Sequence, residues 1–204
     1  VVYGQKDEAT VSDTSIAITA MDQQFLEDMG IQGPDEMINF IPATTRTDWD
    51  IKIRGVGRNF RGLGGGPGVG TYYNGIYSPD FGIAATESGL FDIQRIEVLR
   101  GPQGTLYGRN SIGGVLNYVT VPPNHDEMEG QVKVILGQYN TNEWYGVVSG
   151  PITDSLAYRL VGVKQLRDGR VDGLGDAEDT EDMDDHNYVV TLDWQANDSF
   201  SVNF

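Results

Sequence analysis

The stretch Ile93 to Thr120, IQRIEVLRGPQGTLYGRNSIGGVLNYVT, constrains this chain more than any other. Ile96 and Val98 alternate with Arg95 and Glu97, the period of a half-buried strand, and Gly101-Pro102 stops that strand because proline has no N–H to give a ladder. Leu106 and Tyr107 then offer one apolar turn of irregular helix. Gly108, Gly113 and Gly114 permit backbone conformations or close approaches that a Cβ would obstruct. A second alternating run follows at Val115 to Val119. The unit reads as strand, tight turn, short helix, glycine pair, strand.

Several functions fall away on composition. The chain has no cysteine, so a disulfide framework or a cysteine-ligated metal is impossible, and its two histidines, His125 and His186, lie far apart. A net charge of -16 leaves no basic stripe to neutralise phosphates, which argues against nucleic acid as a partner. Neither G-x-S-x-G nor H-E-x-x-H occurs, so no hydrolase signature is present and an enzyme is not expected. No apolar run reaches 18 residues, which excludes a membrane-crossing helix. A membrane β-barrel needs apolar residues only at every second position and stays open.

Ahead of the central stretch, Val1 to Gly4 is extended and Ser15 to Ala20 alternates as a strand. A first short helix is expected over Asp22 to Met29, with Phe25, Leu26 and Met29 on one face and Gly30 as its stop. A second opens at Gly33-Pro34, places Asp35 and Glu36 in its first turn, and presents Met37, Ile38 and Ile41 before Pro42 ends it. Asp50 to Val56 is a strand. Gly55 to Gly70 holds eight glycines in sixteen residues, too many for regular structure. No phosphate-cradling pattern fits it. Arg58, Phe60 and Arg61 are its large side chains, and the segment reads either as a flexible solvent loop or as a ligand-facing one. Thr71 to Tyr77 is a strand broken by Asn74-Gly75, a second loop at Ser78 to Phe81 exposes Tyr77 and Phe81, and a short helix spans Glu87 to Phe91.

From Glu129 the pattern changes to long alternating strands: Glu129 to Leu136, Trp144 to Gly150, Leu156 to Arg167, Asn187 to Trp194 and Ser199 to Phe204. A one-sided soluble sheet would alternate too. Tight turns at Thr153 to Ser155 and Asn197-Asp198 lie at one end, however. Asn140 to Asn142 and the long Asp168 to Asp185 lie at the other, which is the transmembrane-barrel arrangement. Trp144, Tyr145, Tyr158, Tyr188, Trp194 and Phe200 sit toward strand ends, where interfacial girdles belong. Lys164, on the face assigned to lipid, is tolerable only near the outer rim. Asp168 to Asp185 carries nine acidic residues against one arginine and lacks EF-hand spacing, so it reads as a solvated loop, with divalent-cation binding as the other reading. The alternating run that stops at Phe204, and the absence of a signal peptide before Val1, lead to the expectation of a fragment of a longer protein.

The central stretch closely resembles the signature of the plug domain of TonB-dependent outer-membrane receptors. The residues that carry it are Arg95-Ile96-Glu97-Val98-Leu99-Arg100-Gly101-Pro102, Leu106-Tyr107-Gly108, and Gly113-Gly114 with Asn117. Ile51-Lys52-Ile53-Arg54-Gly55 is similar to the family's strand before its first apical loop. Thr71 to Tyr77, TYYNGIY, resembles its strand-turn-strand element, where aspartate is commoner than Asn74. The resemblance implies an α+β plug domain, a small mixed sheet with short helices, over residues 1–125. The first antiparallel strands of a truncated transmembrane β-barrel would follow over 126–204. Strands at an unclosed edge cannot be stable in lipid without their missing neighbours.

The function implied is energy-coupled import of a scarce nutrient, most often a ferric siderophore, across the bacterial outer membrane, with no cofactor. Val1, Val2 and Tyr3 resemble the end of the TonB box, which the coupling protein TonB captures by β-augmentation; an ordinary N-terminal strand would look the same. Arg54 and Arg100 match family arginines that dock the plug onto glutamates of the barrel wall. The apical set Arg58, Phe60, Arg61, Tyr77 and Phe81 suits an anionic, aromatic ferric chelate by charge and stacking. The alternatives are a passive porin-like or adhesin-like outer-membrane protein, or a receptor for a vitamin or oligosaccharide.

Overall fold

A computed structural model describes residues 16–31, 33–47, 50–57, 66–78, 90–169, 182–197 and 200–204. The chain divides into two units, Val1–Val121 and Pro122–Phe204.

The first unit runs β1 (Ile18–Asp22), α1 (Gln23–Asp28), α2 (Pro34–Ile38), β2 (Thr44–Thr47), β3 (Asp50–Ile53), β4 (Val69–Tyr73), β5 (Ile76–Ser78), β6 (Ile93–Arg100), α3 (Gly104–Tyr107) and β7 (Gly114–Thr120). Five strands form one mixed sheet in the order β1-β6-β7-β4-β5, with β4 and β7 parallel and the other pairs antiparallel. Asp22 caps α1 by accepting from Phe25 N, and Glu36 reaches back to Gly33 N at the start of α2. Such caps satisfy amide donors that a helix start leaves without partners.

β6 lies between β1 and β7 and has two covered faces. Ile96 and Val98 join Leu116 and Tyr118 of β7 against Leu26, Met37, Ile38, Ile41, Ile51 and Ile53. On the reverse face Leu99 and Val115 pack with Ile18, Tyr72 and Tyr107. Full burial of each such side chain is worth roughly 1.5–3 kcal/mol, so this crossing is where the unit's stability is concentrated. Glu97, on the face opposite Ile96 and Val98, is completely buried too, because β1 and β7 flank β6 and the second cluster covers that side.

Other departures are local. In α1 only Leu26 is buried, while Phe25 and Met29 stay exposed, Phe25 meeting Phe40 edge-on. The strand expected over Asp50 to Val56 ends at Ile53, because Arg54 and Gly55 both take positive φ and fold the chain back so that Ile53 N and Val56 O, and Val56 N and Ile53 O, are bonded. Two such residues make a tight turn that a straight strand reading misses. β2, its hairpin partner β3 aside, had no clear sequence signal. β4 begins two residues early, at Val69, inside the glycine-rich run. The helix expected at Glu87 to Phe91 falls largely outside the described residues.

The second unit is an antiparallel meander of β8 (Glu129–Leu136), β9 (Asn142–Thr153), β10 (Leu156–Arg167), β11 (Met183–Asn197) and β12 (Phe200–Asn203). β9 and β11 are longer than periodicity suggested, and the acidic connection is shorter, since Asp184 and Asp185 are already paired in β11. Val132, Trp144, Leu160, Tyr188, Val190, Leu192 and Trp194 are exposed, and the register sets them on one face. Glu143, Tyr145, Ser149, Arg159 and Gln165 are buried on the other. Tyr145 therefore belongs to the polar face and not to an aromatic girdle, as it must when Trp144, one residue away, points outward. No helix among the described residues is long and apolar enough to cross a membrane.

Candidate functional site

The register of the first sheet gathers chain ends at one edge. Leu99 lies opposite Ile18, Arg100 opposite Gly114, Gly114 beside Val69, and Thr71 opposite Ser78. Here β4 is entered, β5 is left, and the connection from Gly101 to Gly113 crosses from β6 to β7. Of the ligand-facing set only Tyr77 is described; Arg58, Phe60, Arg61 and Phe81 lie outside the described residues, as do Val1, Val2 and Tyr3.

Tyr77 is half-buried in a cluster of aromatic and polar groups. Its ring meets Tyr72 edge-on at 5.5 Å between centroids, and Tyr72 in turn meets Tyr107 at 4.9 Å. The Tyr72 hydroxyl donates to the Tyr107 carbonyl at 2.5 Å. Asn110 Nδ2 donates to the Tyr77 hydroxyl at 2.6 Å, and the Arg109 guanidinium stands 5.7 Å from the centre of the Tyr77 ring. A cation so placed gains about 0.5–1 kcal/mol at an exposed site. The end of the glycine-rich run closes onto the same residues: a Cβ on Gly66 would stand 2.2 Å from Asn110 Oδ1.

Burial first, then the Glu97 carboxylate and Tyr72, pushes the Tyr107 phenol up to about 12. Burial and then Tyr77 raise Tyr72. These phenols are neutral donors and aromatic faces at any physiological pH. Arg109 and Asn110 were missed in the sequence. Their signal was a cation and an amide directly after Tyr107-Gly108, and only the fold brings them 33 residues back to Tyr77.

Arg54 and Arg100 both lie at this edge. A Cβ on Gly101 would stand 3.3 Å from Arg54 Nη1. Arg54 is exposed; Arg100 is half-buried, and its Nε is buried with no hydrogen-bond partner among the described residues. The glycine pair explains how the turn carrying Arg54 is seated. A Cβ on Gly113 would lie 2.8 Å from Val56 O, and one on Gly114 would lie 2.4 Å from Leu99 O and 2.8 Å from Ile53 Cδ1. Without side chains there, the Ile53–Val56 turn packs directly on the β6–β7 corner.

Behind the edge, Arg95, Glu97 and Asn117 form a buried polar line. Arg95 Nε donates to Glu97 Oε1 at 2.8 Å, and Asn117 Oδ1 accepts from Gly75 N at 3.1 Å. Among the described residues no three His, Cys, Asp or Glu side chains are grouped to hold a metal ion.

The family model of the TonB-dependent receptor plug domain matches residues 10–115, just over half of the chain. The chain belongs to the TonB-dependent receptors. It is 28% identical over 192 residues to the pesticin receptor of Yersinia pestis, covering 90% of this chain and 27% of that one. It is 26% identical to an iron-regulated outer membrane virulence protein of Vibrio cholerae, covering 78% and 26% respectively. Among solved structures, the ferric yersiniabactin uptake receptor of Yersinia pestis superposes with a TM-score of 0.72 at 25% identity, covering 90% of this chain and 29% of that one. The TonB-dependent receptor chain thus spans about a quarter of the length of its curated relatives. It is part of an outer-membrane receptor, with a plug followed by antiparallel strands of the barrel type.

Proposed function

We propose that the complete receptor imports a scarce nutrient, a ferric siderophore in the first instance, through the outer membrane. The plug up to Val121 serves as the gate, and the strands from Glu129 onward begin the wall around it. The observation that carries this reading is the plug match itself, since a passive pore or an adhesin has no use for a plug. The cargo class is supported by the iron-related names of the relatives and by the sheet edge where Tyr77, Arg109 and Asn110 cluster. A cation over an aromatic face beside neutral phenols suits an anionic, aromatic chelate. The five residues Arg58, Phe60, Arg61, Tyr77 and Phe81 contact it, Arg54 and Arg100 dock the gate, and Val1, Val2 and Tyr3 are taken up by TonB, which supplies the pull. No covalent step is involved. The family is a receptor family, and the work is binding and release.

The test is iron uptake by the full-length receptor in cells lacking other siderophore receptors, across a panel of ferric chelates. Uptake of at least one chelate that stops when TonB is deleted or the proton-motive force is collapsed is the expected result. Uptake indifferent to both would make the protein a passive pore. Binding without uptake would make it an adhesin-like protein, and import of a vitamin or oligosaccharide alone would replace the cargo.

A further inference from the structure

The segment Pro122–Met128, which follows the plug unit and precedes β8, is tied to the strands of the second unit at Asn124 and His125. Asn124 N donates to Ser149 Oγ of β9 at 2.9 Å, and Ser149 Oγ donates onward to the Tyr158 carbonyl of β10 at 2.9 Å. Asn124 Nδ2 reaches Glu129 Oε2 at 3.3 Å, while Glu129 Oε1 accepts from Arg159 Nη1 of β10 at 2.9 Å. His125 Nε2 lies 2.8 Å from Asp193 Oδ2 of β11, and Gln195 Nε2 donates to that same oxygen at 3.3 Å. Asn124 Oδ1 accepts from Asp126 N and Glu127 N, an Asx turn that fixes the segment's own shape.

The register makes this arrangement specific. Ser149 is paired with Glu129 on one side and Arg159 on the other, so the Glu129–Arg159 ion pair bridges over it. Ser149 is fully buried beneath, a small residue where a larger one would lift the bridge. Ala157, also fully buried, is opposite Asp193. Four strands, β8 to β11, thus contribute to tying this seven-residue irregular segment to their polar face at Asn124 and His125. An ordinary connection between two units would leave such polar groups to water.

We propose that Pro122–Met128 is a fixed anchor at which displacement of the plug stops, with Asn124 and His125 as its positioning residues. Load carried along the chain from the first unit reaches the strands only through this segment. Spread over Ser149, Glu129 and Asp193, it is shared by three strands instead of peeling β8 from its end. The proposal rests on the reading of the chain as a receptor whose plug moves, and it deepens that reading by naming where the moving part ends.

The experiment pulls the full-length receptor, reconstituted in outer-membrane lipid vesicles, from a handle at its N-terminus and records the final extension once the plug has unfolded. The wild type is compared with Asn124→Cys plus Ser149→Cys in oxidised form; the 204 residues hold no other cysteine. The anchor predicts the same final extension for both. Combined Asn124→Ala, His125→Ala and Ser149→Ala, which removes the acceptor of Asn124 N together with both side-chain ties, should lengthen it by about 17 Å, the five residues from Asn124 to Met128 at roughly 3.3–3.6 Å each. A wild type already longer than its disulfide-locked form by about 17 Å, five residues' worth, would overturn the anchor, as would a triple variant no longer than the wild type. Uptake plays no part in this measurement. A receptor that holds at Val121 but imports no ferric chelate would sink the transport reading and leave the anchor standing.

Discussion

Arg95 Nε donates to Glu97 Oε1 at 2.8 Å, two residues away on the same strand, with the Glu97 carboxylate wholly buried and Arg95 nearly so. Removing one partner of a buried pair leaves the other charge without compensation, at about 3–5 kcal/mol. Glu97→Ala should therefore strip hydrogen-exchange protection from β6 and β7 in the full-length receptor. Glu97→Gln, which still accepts a hydrogen bond, should cost about half as much. Arg95→Ala added to Glu97→Ala should cost less than the sum of the two single changes. Strict additivity would mean that the two side chains are stabilised independently.

The corner at Gly114 gives a second expectation. A Cβ there would stand 2.4 Å from Leu99 O, a backbone atom that cannot swing away. Gly114→Ala should destabilise the plug by about 1–3 kcal/mol and loosen the turn that carries Arg54. Gly104, in the short α3, has nothing within 4 Å of its would-be Cβ. Gly104→Ala should be neutral or stabilising by about 0.4–1 kcal/mol. Protease resistance of the plug in outer-membrane preparations separates the two. Equal effects would mean that crowding at Gly114 does not matter.

Tyr107 sets an alkaline limit. Its phenol is raised to about 12, burial being the first cause, against about 10 in an unfolded chain. The native plug therefore holds a proton that the unfolded one has lost. The resulting stabilisation is complete below pH 10 and disappears as pH rises through 12. Tyr107→Phe should make that stretch of the stability profile less steep, Tyr72 being raised as well, while leaving the carbonyl of residue 107 to accept from Tyr72. Phenolate absorbance should show folded wild type and folded Tyr107→Phe titrating the same number of tyrosines near pH 10, with the wild type alone gaining one more near pH 12. A stability profile that falls as steeply between pH 10 and 12 in the variant as in the wild type would assign the limit elsewhere.

Arg100 carries a buried Nε without a hydrogen-bond partner among the described residues, beside the exposed Arg54. If it docks the plug, Arg100→Ala should raise protease sensitivity of the plug and lower uptake severalfold while ligand affinity holds. Arg100→Lys restores the charge but not the planar fork, so it should rescue only in part. Unchanged protease sensitivity and uptake would end the docking assignment.

The plug was legible in the sequence because its constraints are local: Gly101-Pro102, Gly113-Gly114 and the alternation of Ile96 and Val98 each mark their own position. Arg54-Gly55 was harder. A positive φ at an arginine has no compositional sign, and only the packing of its turn on Gly101, Gly113 and Gly114 shows why it is there. The burial of Glu97 could not be read from alternation, which reports one strand's two faces and not what neighbouring strands and loops lay over them. Arg109 and Asn110 were invisible as partners of Tyr77, since a parallel β4–β7 pairing joins those segments and no local signal announces a crossover. His125 looked isolated until the strap laid it against Asp193, 68 residues on.

Lys164 offers a depth gauge for the barrel strands. It shares a row with Trp144 and His186, three residues before β10 ends at Arg167, on the face that carries Leu160, Val190 and Trp194. A cation on the lipid-facing side costs about 2–4 kcal/mol at the midplane and about 0–1 near an interface. Position in the strand, with a tryptophan alongside, sets Lys164 at the interface, so Lys164→Leu should shift receptor stability by less than about 1 kcal/mol. Leu160 sits four residues deeper, between Val148 and Val190. Leu160→Lys should cost the midplane value and lower the temperature at which the receptor loses its heat-resistant mobility in detergent gels. Equal tolerance of both changes would mean that this face does not meet lipid at the depth its register implies. A large gain from Lys164→Leu would instead place the row well inside the hydrocarbon.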